Sequence, residues 1–539
     1  MGYYLNSNKV YSLYESETRK PYFIDKTELL SDLMTLVVQG NNHICITRPR
    51  RFGKSVMASM VGAFFSKGFD SSSVFDSLKI ADDKRYREHL NRHDVIYIDF
   101  SEAANESSDY QEFIATIKEI LQGDLRACFS TVRFREKGTV VQDLRMIHEE
   151  TMTSFLFVFD EWDCIFHKKY MTDDDRESFI NFLASLTKGT GYVSLSYMTG
   201  VLPIAKYSSG STINHFVEYT MATDDKYGAY FGFTESEVDE LYRRYEEKVS
   251  ERNVSRADLK VWYDGYHTPL SERMYNPSSV VLALDRNRVR SYWTATGPYS
   301  EISTYIANDV DGVKKDVALM VAGEAVPSEV EEFAATAMQL GTRDEIFSAM
   351  VVYGFLNYED GRVHIPNREL MDEFVRTIRR ERGLGYIYDL ANASSRMLRA
   401  TLAGDTETME EILQFAHDTE TPLLDYNNET ELTAIVNLVY LAARDSYYVE
   451  REAKAGKGYA DFIFYPERKG DDGLILELKV DDTPEAAIQQ IKEKNYVLKF
   501  QGRLAEKKRH TGQILLVGIG YDRKRKEHRC KVEVFGNDD

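Results

Sequence analysis

Cysteine is scarce in this 539-residue sequence: Cys45, Cys128, Cys164 and Cys530 stand far apart, with no C-x-x-C spacing. That excludes a cysteine zinc cluster and a disulfide framework, and it fits a reducing compartment. Long apolar runs are missing as well, with none near the ~20 residues needed to span a bilayer. The opening MGYYLNSNKV lacks the basic-then-apolar pattern of a secretory leader. A soluble cytoplasmic protein without membrane contact is therefore expected. Positive charge is in short supply, with 67 basic residues against 87 acidic ones and a net charge of -20. Such a surface repels nucleic acid on average, so any contact with it must come from a local basic patch. No internal repeat and no low-complexity segment interrupts the chain.

What is present suits a multidomain globular protein. The chain is too long for one hydrophobic core, so two to four domains are expected. Its 43% hydrophobic and 12% aromatic content supplies those cores. The first third alternates strand-like and helix-like stretches, the signature of a parallel α/β sheet. HICIT (43–47), DVIYIDF (94–100), FLFVFD (155–160) and YVSLSYMT (192–199) read as strands, and KSVMASMVGAFF (54–65) as a helix. From about residue 235 the pattern turns mostly helical, as in ESEVDELYRRYEEKV, PSSVVLALDR and ATLAGDTETMEEILQFA. A new unit opens near residue 428. The helix NETELTAIVNLVYLAARD leads to the strands YYVERE, YADFIFY and GLILELKV, the helix PEAAIQQIKEKNYVLKF, and the strands QILLVGIGY and CKVEVF. We therefore expect an α/β multidomain chain. It would hold a parallel-sheet domain over 1–234, a mostly helical connector over 235–424 and an αβββαβ domain over 425–539.

Two constellations carry chemistry. The strand HICIT runs into Arg48-Pro-Arg-Arg51-Phe-Gly53-Lys54-Ser55 and then a helix. Such a strand–loop–helix unit presents backbone N–H groups and a helix N-terminus to phosphate. Lys54 would reach the β/γ-phosphates, and the Ser55 hydroxyl would ligate magnesium. The usual first glycine of GxxxxGK[ST] is Arg48 here, so a plain basic turn before a helix is the competing reading. FLFVFDEWD shifts the balance by placing Asp160 and Glu161 at a strand end. There one acid can hold the metal and the next can polarise water. Thr199, at the end of YVSLSYMT, is a candidate γ-phosphate sensor or simply a strand-end hydroxyl.

In the second constellation, GLILELKV puts Glu477 and Lys479 on one face of a strand, two residues apart. A charged pair within an apolar strand is costly without a purpose. Asp461 opens the preceding strand, so Asp461, Glu477 and Lys479 form a D…ExK pattern on adjacent strands. Gln490 follows on the next helix, and Glu429, or alternatively Glu431, lies on the helix that opens the domain. An ion pair between Glu477 and Lys479 in an inactive fold is the competing reading. Arg503, Lys507, Lys508, Arg509 and the run Arg523-Lys524-Arg525-Lys526 form basic clusters that could track a phosphate backbone; solvated loops explain them nearly as well.

The sequence resembles the AAA-ATPase-like proteins that carry a C-terminal PD-(D/E)XK nuclease domain. The resemblance runs through PYFIDKTELL (21–30), TRPRRFGKS (47–55), FDEWD (159–163), MTGVLPIAK (198–206), VWYDGYH (261–267), MYNPSSV (274–280) and the C-terminal residues above. It implies that Arg48 is a family trait. It also implies nucleotide contacts from Arg48, Arg51, Gly53, Lys54, Ser55, Asp160 and Thr199, with ATP and magnesium or manganese as cofactors. Asp25 and Lys26 would lie near the adenine. Asp461 and Glu477 would bind metal beside Lys479, Gln490 and Glu429, with nucleic acid, DNA first, as the partner. A homo-oligomer stays open. Pro203 departs from the family pattern, which has arginine there, and this puts ATP hydrolysis in question more than ATP binding. The rival to an ATP-regulated nuclease is an ATP-driven switch whose nuclease-like domain only grips nucleic acid or protein. WYDGY (262–266) and YNP (275–277) read as packing residues around a buried turn.

Overall fold

All six residues of FLFVFD are buried, and five of the six in NHICIT are too. Strands covered on both faces carry such continuous apolar runs and belong to parallel sheets. The computed structural model describes residues 2–204, 212–221, 226–268, 273–292, 306, 312–330, 340–380, 382, 386–417, 429–455, 458–506 and 512–536. They fall into two compact units, one of residues 1–298 with 328–369 and one of residues 299–327 with 370–539.

The first unit holds a five-stranded sheet. Its strands are β1 (Asn42–Thr47), β2 (Asp94–Asp99), β3 (Phe155–Asp160), β4 (Val193–Gly200) and β5 (Val217–Tyr219), in the order β2-β3-β4-β1-β5. Every neighbouring pair is parallel. The register sets Thr47 beside Gly200 and Asp99 beside Asp160, so the strands' carboxyl ends finish level. In open α/β sheets ligands bind in the crevice outside those ends. Helix α1 (Asn8–Thr18) starts at an N-cap from the Ser7 side chain, and α2 (Leu29–Gln39) stops at Gly40, whose φ is 71°. Together with α3 (Lys54–Phe65) they close one face of the sheet in a core that includes Leu33, Val61, Phe64 and Leu195.

A second core gathers aromatics from the helices Glu235–Lys248, Arg256–Tyr263 and Pro277–Asp285. Trp262, Tyr263 and Tyr275 of the WYDGY and YNP segments pack here, and Tyr266 packs in a separate cluster with Phe52 and Met274, as their composition predicts. The hydroxyls of Tyr263 and Tyr266 donate to the carbonyls of Arg290 and Gly354, each at 2.9 Å, and Tyr275 donates to Glu235 at 2.7 Å. Gly265 has φ 106°, and a Cβ there would lie 1.9 Å from the Pro366 carbonyl oxygen, so only glycine fits the turn. Within this largely helical stretch, Asn357–Glu359 and Arg362–His364 form an antiparallel hairpin. Its two-residue turn, Asp360 (φ 50°) and Gly361 (φ 75°), has the positive φ pair that matches strand twist.

The second unit carries helices Tyr386–Ala403 and Thr406–His417, separated at Gly404 (φ 69°), and the helix Glu429–Val439. These precede a five-stranded mixed sheet in chain order: Tyr447–Ala455, Gly458–Pro466, Gly473–Val480, Ile514–Asp522 and Glu527–Val534. The pair Gly473–Val480 and Ile514–Asp522 is parallel and the other pairs are antiparallel. The crossover runs through helices Pro484–Glu493 and Tyr496–Glu506, broken at Asn495 (φ 57°). Ile463, Ile475, Ile488, Ile491 and Phe500 form the core between sheet and crossover. No helix among the described residues is long and apolar enough to cross a membrane.

Candidate functional site

Between β1 and α3 the chain makes a tight loop. Arg51 (φ 72°) and Gly53 (φ 88°) both adopt left-handed backbone, which costs a non-glycine residue about 1–2 kcal/mol. Such strain persists where the surroundings enforce it, and it clusters at ligand clamps. Gly53 is the N-cap of α3, so the first free N–H groups of that helix point into the loop. Lys54 is buried at 5% exposure, and its Nζ donates to the carbonyls of Arg48 (3.0 Å) and Pro49 (3.1 Å), across the concave side of the loop. Burial lowers the pKa of this ammonium, while Glu161, Asp163 and Asp160 oppose the shift.

The strand end of β3 supplies those acids. Asp160 is buried and accepts the Thr199 hydroxyl at 2.5 Å and the Glu161 backbone N–H at 3.1 Å, and the Ser55 hydroxyl helps to hold its pKa down. Burial raises its pKa, and Asp99 on the neighbouring strand adds to that rise. Glu161 follows in left-handed backbone (φ 53°), and burial raises its pKa too. Asp160, Glu161 and Asp163 thus act on Lys54, with Arg50 as a second cation nearby, and a hard divalent cation held by Ser55 and Asp160 would offset the remaining negative charge. The oxygen-only donor set suits magnesium.

Next to the loop lies a cavity of about 800 Å³. It is lined by Arg50–Ser55 and Glu161 and by Tyr22, Phe23, Tyr230, Phe233 and Leu282. A few polar groups among aromatic and aliphatic side chains are the profile of a small-ligand site. Lys26 lines the same cavity and donates to the Ala229 carbonyl and the Glu237 carboxylate, at 2.6 and 2.7 Å. Asp25 is turned elsewhere and accepts from Thr27 and from the Lys79 backbone.

Gly53, Lys54, Ser55, Asp160 and Glu161 are therefore brought together, whereas three other expected positions are used differently. Arg48 is 1% exposed, points toward the sheet edge, and donates to the carbonyls of Thr47 (2.7 Å) and Tyr219 (2.9 Å) beneath the Phe231 ring. It closes the sheet and does not line the large cavity. Arg51 donates to the Tyr292 carbonyl. The Thr199 hydroxyl is committed to Asp160, so it positions the acid. Pro203 lines a separate small cavity with Thr47 and Arg48.

The second centre lies on the sheet of the other unit. Pairing of Phe462 with Leu476 and of Ile463 with Ile475, continued by one step, sets Asp461 opposite Glu477 on the face covered by the crossover helices. Asp461 accepts the Leu478 backbone N–H at 2.7 Å. Glu477 is 2% exposed; its Oε1 accepts from Lys479 Nζ at 3.2 Å and from the Gln490 amide, which also reaches the Tyr496 hydroxyl at 3.3 Å. Its Oε2 is buried and has no hydrogen-bond partner among the described residues. Burial first, then Asp461, pushes the Glu477 carboxyl up to about 7. An orphaned buried carboxylate oxygen facing a second acid is costly as it stands. The fit for a divalent ion held by Asp461 and Glu477 is good, since both offer hard oxygen donors.

Glu429 and Glu431 sit on the first turn of their helix, and their side chains lie outside the described residues, as does that of Arg503. Lys507, Lys508 and Arg509 are outside them as well. Of the other basic run, Arg523 is held by Asp481, donating from Nε at 2.7 Å, so it is not a free phosphate anchor. Sequence reasoning passed over Asp163, which is buried and accepts the backbone N–H groups of Val201 and Leu202 at the end of β4. The second Asp of FDEWD was the available signal. Tyr496, which braces Gln490, ends the QIKEKNY stretch that drew attention to Gln490 alone.

Comparison with known proteins follows this division. Residues 11–209 match the AAA-ATPase-like family, described as a predicted AAA-ATPase, and residues 428–527 match the PD-(D/E)XK nuclease superfamily. An uncharacterized protein in the vnfD 5′ region of Azotobacter chroococcum is 26% identical over 281 residues, 51% of this chain and 51% of that protein. The chain thus matches about half the length of that curated relative. Among solved structures, a Walker-type ATPase of Pyrococcus abyssi is similar at TM-score 0.36 and 13% identity, over 65% of this chain and 95% of that one. The ORC2 protein of Aeropyrum pernix, in ADPNP–ADP complexes, is similar at TM-score 0.34 and 10% identity, over 67% and 96%.

Proposed function

We propose that this chain, an AAA-ATPase-like domain joined to a PD-(D/E)XK superfamily domain, binds ATP and cleaves phosphodiester bonds in nucleic acid, DNA first, with nucleotide state controlling cleavage. Nucleotide binding is assigned to residues 1–234, a connecting role to 235–424 and cleavage to 425–539. The four cysteines are free, which agrees with work in the cytoplasm, and assembly into a homo-oligomer is part of the same reading.

The observation that carries the nuclease reading is the buried, unpartnered Glu477 Oε2 opposite Asp461, with Lys479 and Gln490 already on the other oxygen. Magnesium or manganese, when bound there, supplies charge neutralisation for the phosphoryl oxygens and a lower pKa for an attacking water. Asp461 and Glu477 hold the ion from two paired strands. Lys479, on the same strand face, orients the water and offsets charge on the phosphate. Water adds to phosphorus as the ester P–O bond breaks, the attacking water gives up one proton to solvent and the leaving oxygen takes one from solvent. Gln490 fixes the Glu477 carboxylate so that its second oxygen stays turned to the metal.

On the nucleotide side, Lys54 and the α3 N-terminus receive the phosphates, Ser55 and Asp160 hold magnesium, and Glu161 polarises the attacking water. The aromatic residues that line the cavity accept the base, with Lys26 among the lining residues. Pro203 stands where the family has arginine, which favours slow turnover and a long-lived ATP state, as a switch requires. Titration with a fluorescent ATP analogue, run beside a manganese-dependent cleavage assay with and without ATP, tests both halves. Saturable binding with cleavage that depends on nucleotide supports the reading; cleavage indifferent to nucleotide separates the two domains functionally.

A further inference from the structure

The hairpin Asn357–Glu359/Arg362–His364 has no part in either centre, yet it gathers an unexpected side-chain set. Asn357 pairs with His364 and Glu359 with Arg362, so Glu359 and His364 are diagonal neighbours on one hairpin face. His267, at the end of the VWYDGYH motif, joins them from 90 residues away. Its backbone N–H donates to Asn357 Oδ1 at 3.0 Å, and the Asn357 amide meets its Nδ1 at 3.0 Å, which locks the ring against the hairpin. One ligand-type atom each from His267, Glu359 and His364 lies within 4.8 Å of the others.

We infer that His267, Glu359 and His364 form a third metal site, selective for a divalent transition ion of the zinc type. Two imidazoles and one carboxylate are a donor set that zinc takes up with a water in the fourth position. Two donors at ordinary zinc distances from a tetrahedral ion lie about 3.3 Å apart. The separation of His267 Nδ1 and Glu359 Oε2 is 3.6 Å and all three donor atoms lie within 4.8 Å of one another, so closure around an ion needs shifts of up to about 1.5 Å and exchange of the Asn357 amide for the ion at Nδ1. The His267 side chain is 11% exposed and that of Glu359 37%, so solvent reaches the site and can supply the water ligand. Magnesium prefers an all-oxygen octahedral set and is a poor match, so this site is distinct in chemistry from the other two.

The position gives the ion a mechanical role. His267 and Asn357 line a small cavity together with Thr47, Arg48 and Pro203, at the end of the strand that carries the phosphate loop. An ion held by His267, Glu359 and His364 links the turn after the helix Arg256–Tyr263 to the hairpin.

The test uses the full chain carrying Asp461→Asn and Glu477→Gln, without nucleotide, so that the C-terminal carboxylates do not compete. Zinc binding is followed by calorimetry and cobalt(II) binding by visible absorption, each in millimolar magnesium. One tight zinc equivalent and the intense visible bands of low-coordinate cobalt are expected. Glu359→Gln, at a half-exposed side chain, should weaken zinc by more than the roughly 10–100-fold that loss of an outer partner costs. His364→Asn should abolish the cobalt bands. Absence of a tight zinc equivalent in the parent, or equal zinc affinity in parent and Glu359→Gln, overturns the proposal. If His364→Asn does not fold, Glu359→Gln decides alone, with its zinc-free melting curve matching the parent as proof of an intact fold.

Discussion

The Glu477 carboxyl offers the sharpest quantitative prediction. A metal binds its ionised form, so the proton and the ion compete. Held at about 7, the group is mostly protonated at pH 6, where an ordinary glutamate is almost fully ionised. With one titrating proton and a pKa of about 7, roughly one-tenth of the sites are ionised at pH 6 and roughly nine-tenths at pH 8. The manganese dissociation constant should therefore rise about tenfold from pH 8 to pH 6, equivalent to about 1.4 kcal/mol. Calorimetric titration without nucleotide, repeated in buffers of different ionisation heat, should also detect about one proton released per ion near pH 6. The same group sets the sign of the stability change without metal. Between about 4.5 and about 7 the unfolded chain has lost this proton and the native state keeps it, so stability falls as pH rises through that window and levels off above it. Glu477→Gln should then exceed the parent in stability at pH 8 without metal, and it should lose both manganese affinity and proton release. A dissociation constant that stays flat between pH 6 and 8 would refute the reasoning.

Replacing Lys54 by Met removes the charged donor inside the loop; affinity for a fluorescent ATP analogue should fall at least ~10–100-fold, in line with the ~1.5–3 kcal/mol of a charge-assisted hydrogen bond, and unchanged affinity would remove Lys54 from the site. Glu161→Gln should keep ATP binding while phosphate release drops ~10²–10⁴-fold; an unaltered rate would make Glu161 a structural acid. Thr199→Val leaves the buried Asp160 short of a donor at 2.5 Å, so urea unfolding should show a loss of ~1–3 kcal/mol. No loss would mean that the remaining donors, the Glu161 backbone N–H among them, satisfy Asp160.

Much of the fold could be read from periodicity. FLFVFD and KSVMASMVGAFF coincide with β3 and α3 residue for residue, because buried parallel strands and an apolar helix flanked by breakers leave unambiguous patterns. β5 escaped: three residues, with Val217 exposed, carry too little pattern to stand out. The predicted single helices ATLAGDTETMEEILQFA and PEAAIQQIKEKNYVLKF are each two, cut at Gly404 and Asn495, both in left-handed backbone. Glycine at 404 was a visible signal, whereas asparagine at 495 was a weak one. The hairpin at Asp360-Gly361 could have been found, since Asp-Gly between short alternating stretches is a strong turn signature. At the sites, types and spacing identified Lys54, Ser55, Asp160, Glu161, Asp461, Glu477 and Lys479 as candidates. Spacing could not show that Arg48 turns to the sheet edge or that Thr199 bonds Asp160, because both depend on the neighbours that β4 and β5 bring alongside β1.

The account stands most directly on cleavage by the C-terminal centre. Full-length protein should be assayed on single- and double-stranded nucleic acid with manganese or magnesium, with and without ATP, beside Asp461→Asn, Glu477→Gln and Lys479→Ala. Residues acting as one unit lose activity together, so each single variant should be nearly inactive and double variants no worse. Lys479→Ala alone should still bind manganese. Metal-dependent cleavage by the wild type that disappears in all three variants is the predicted result. Cleavage that survives Glu477→Gln, or a wild type that binds no manganese in this domain and cuts no substrate under any nucleotide condition, would contradict it.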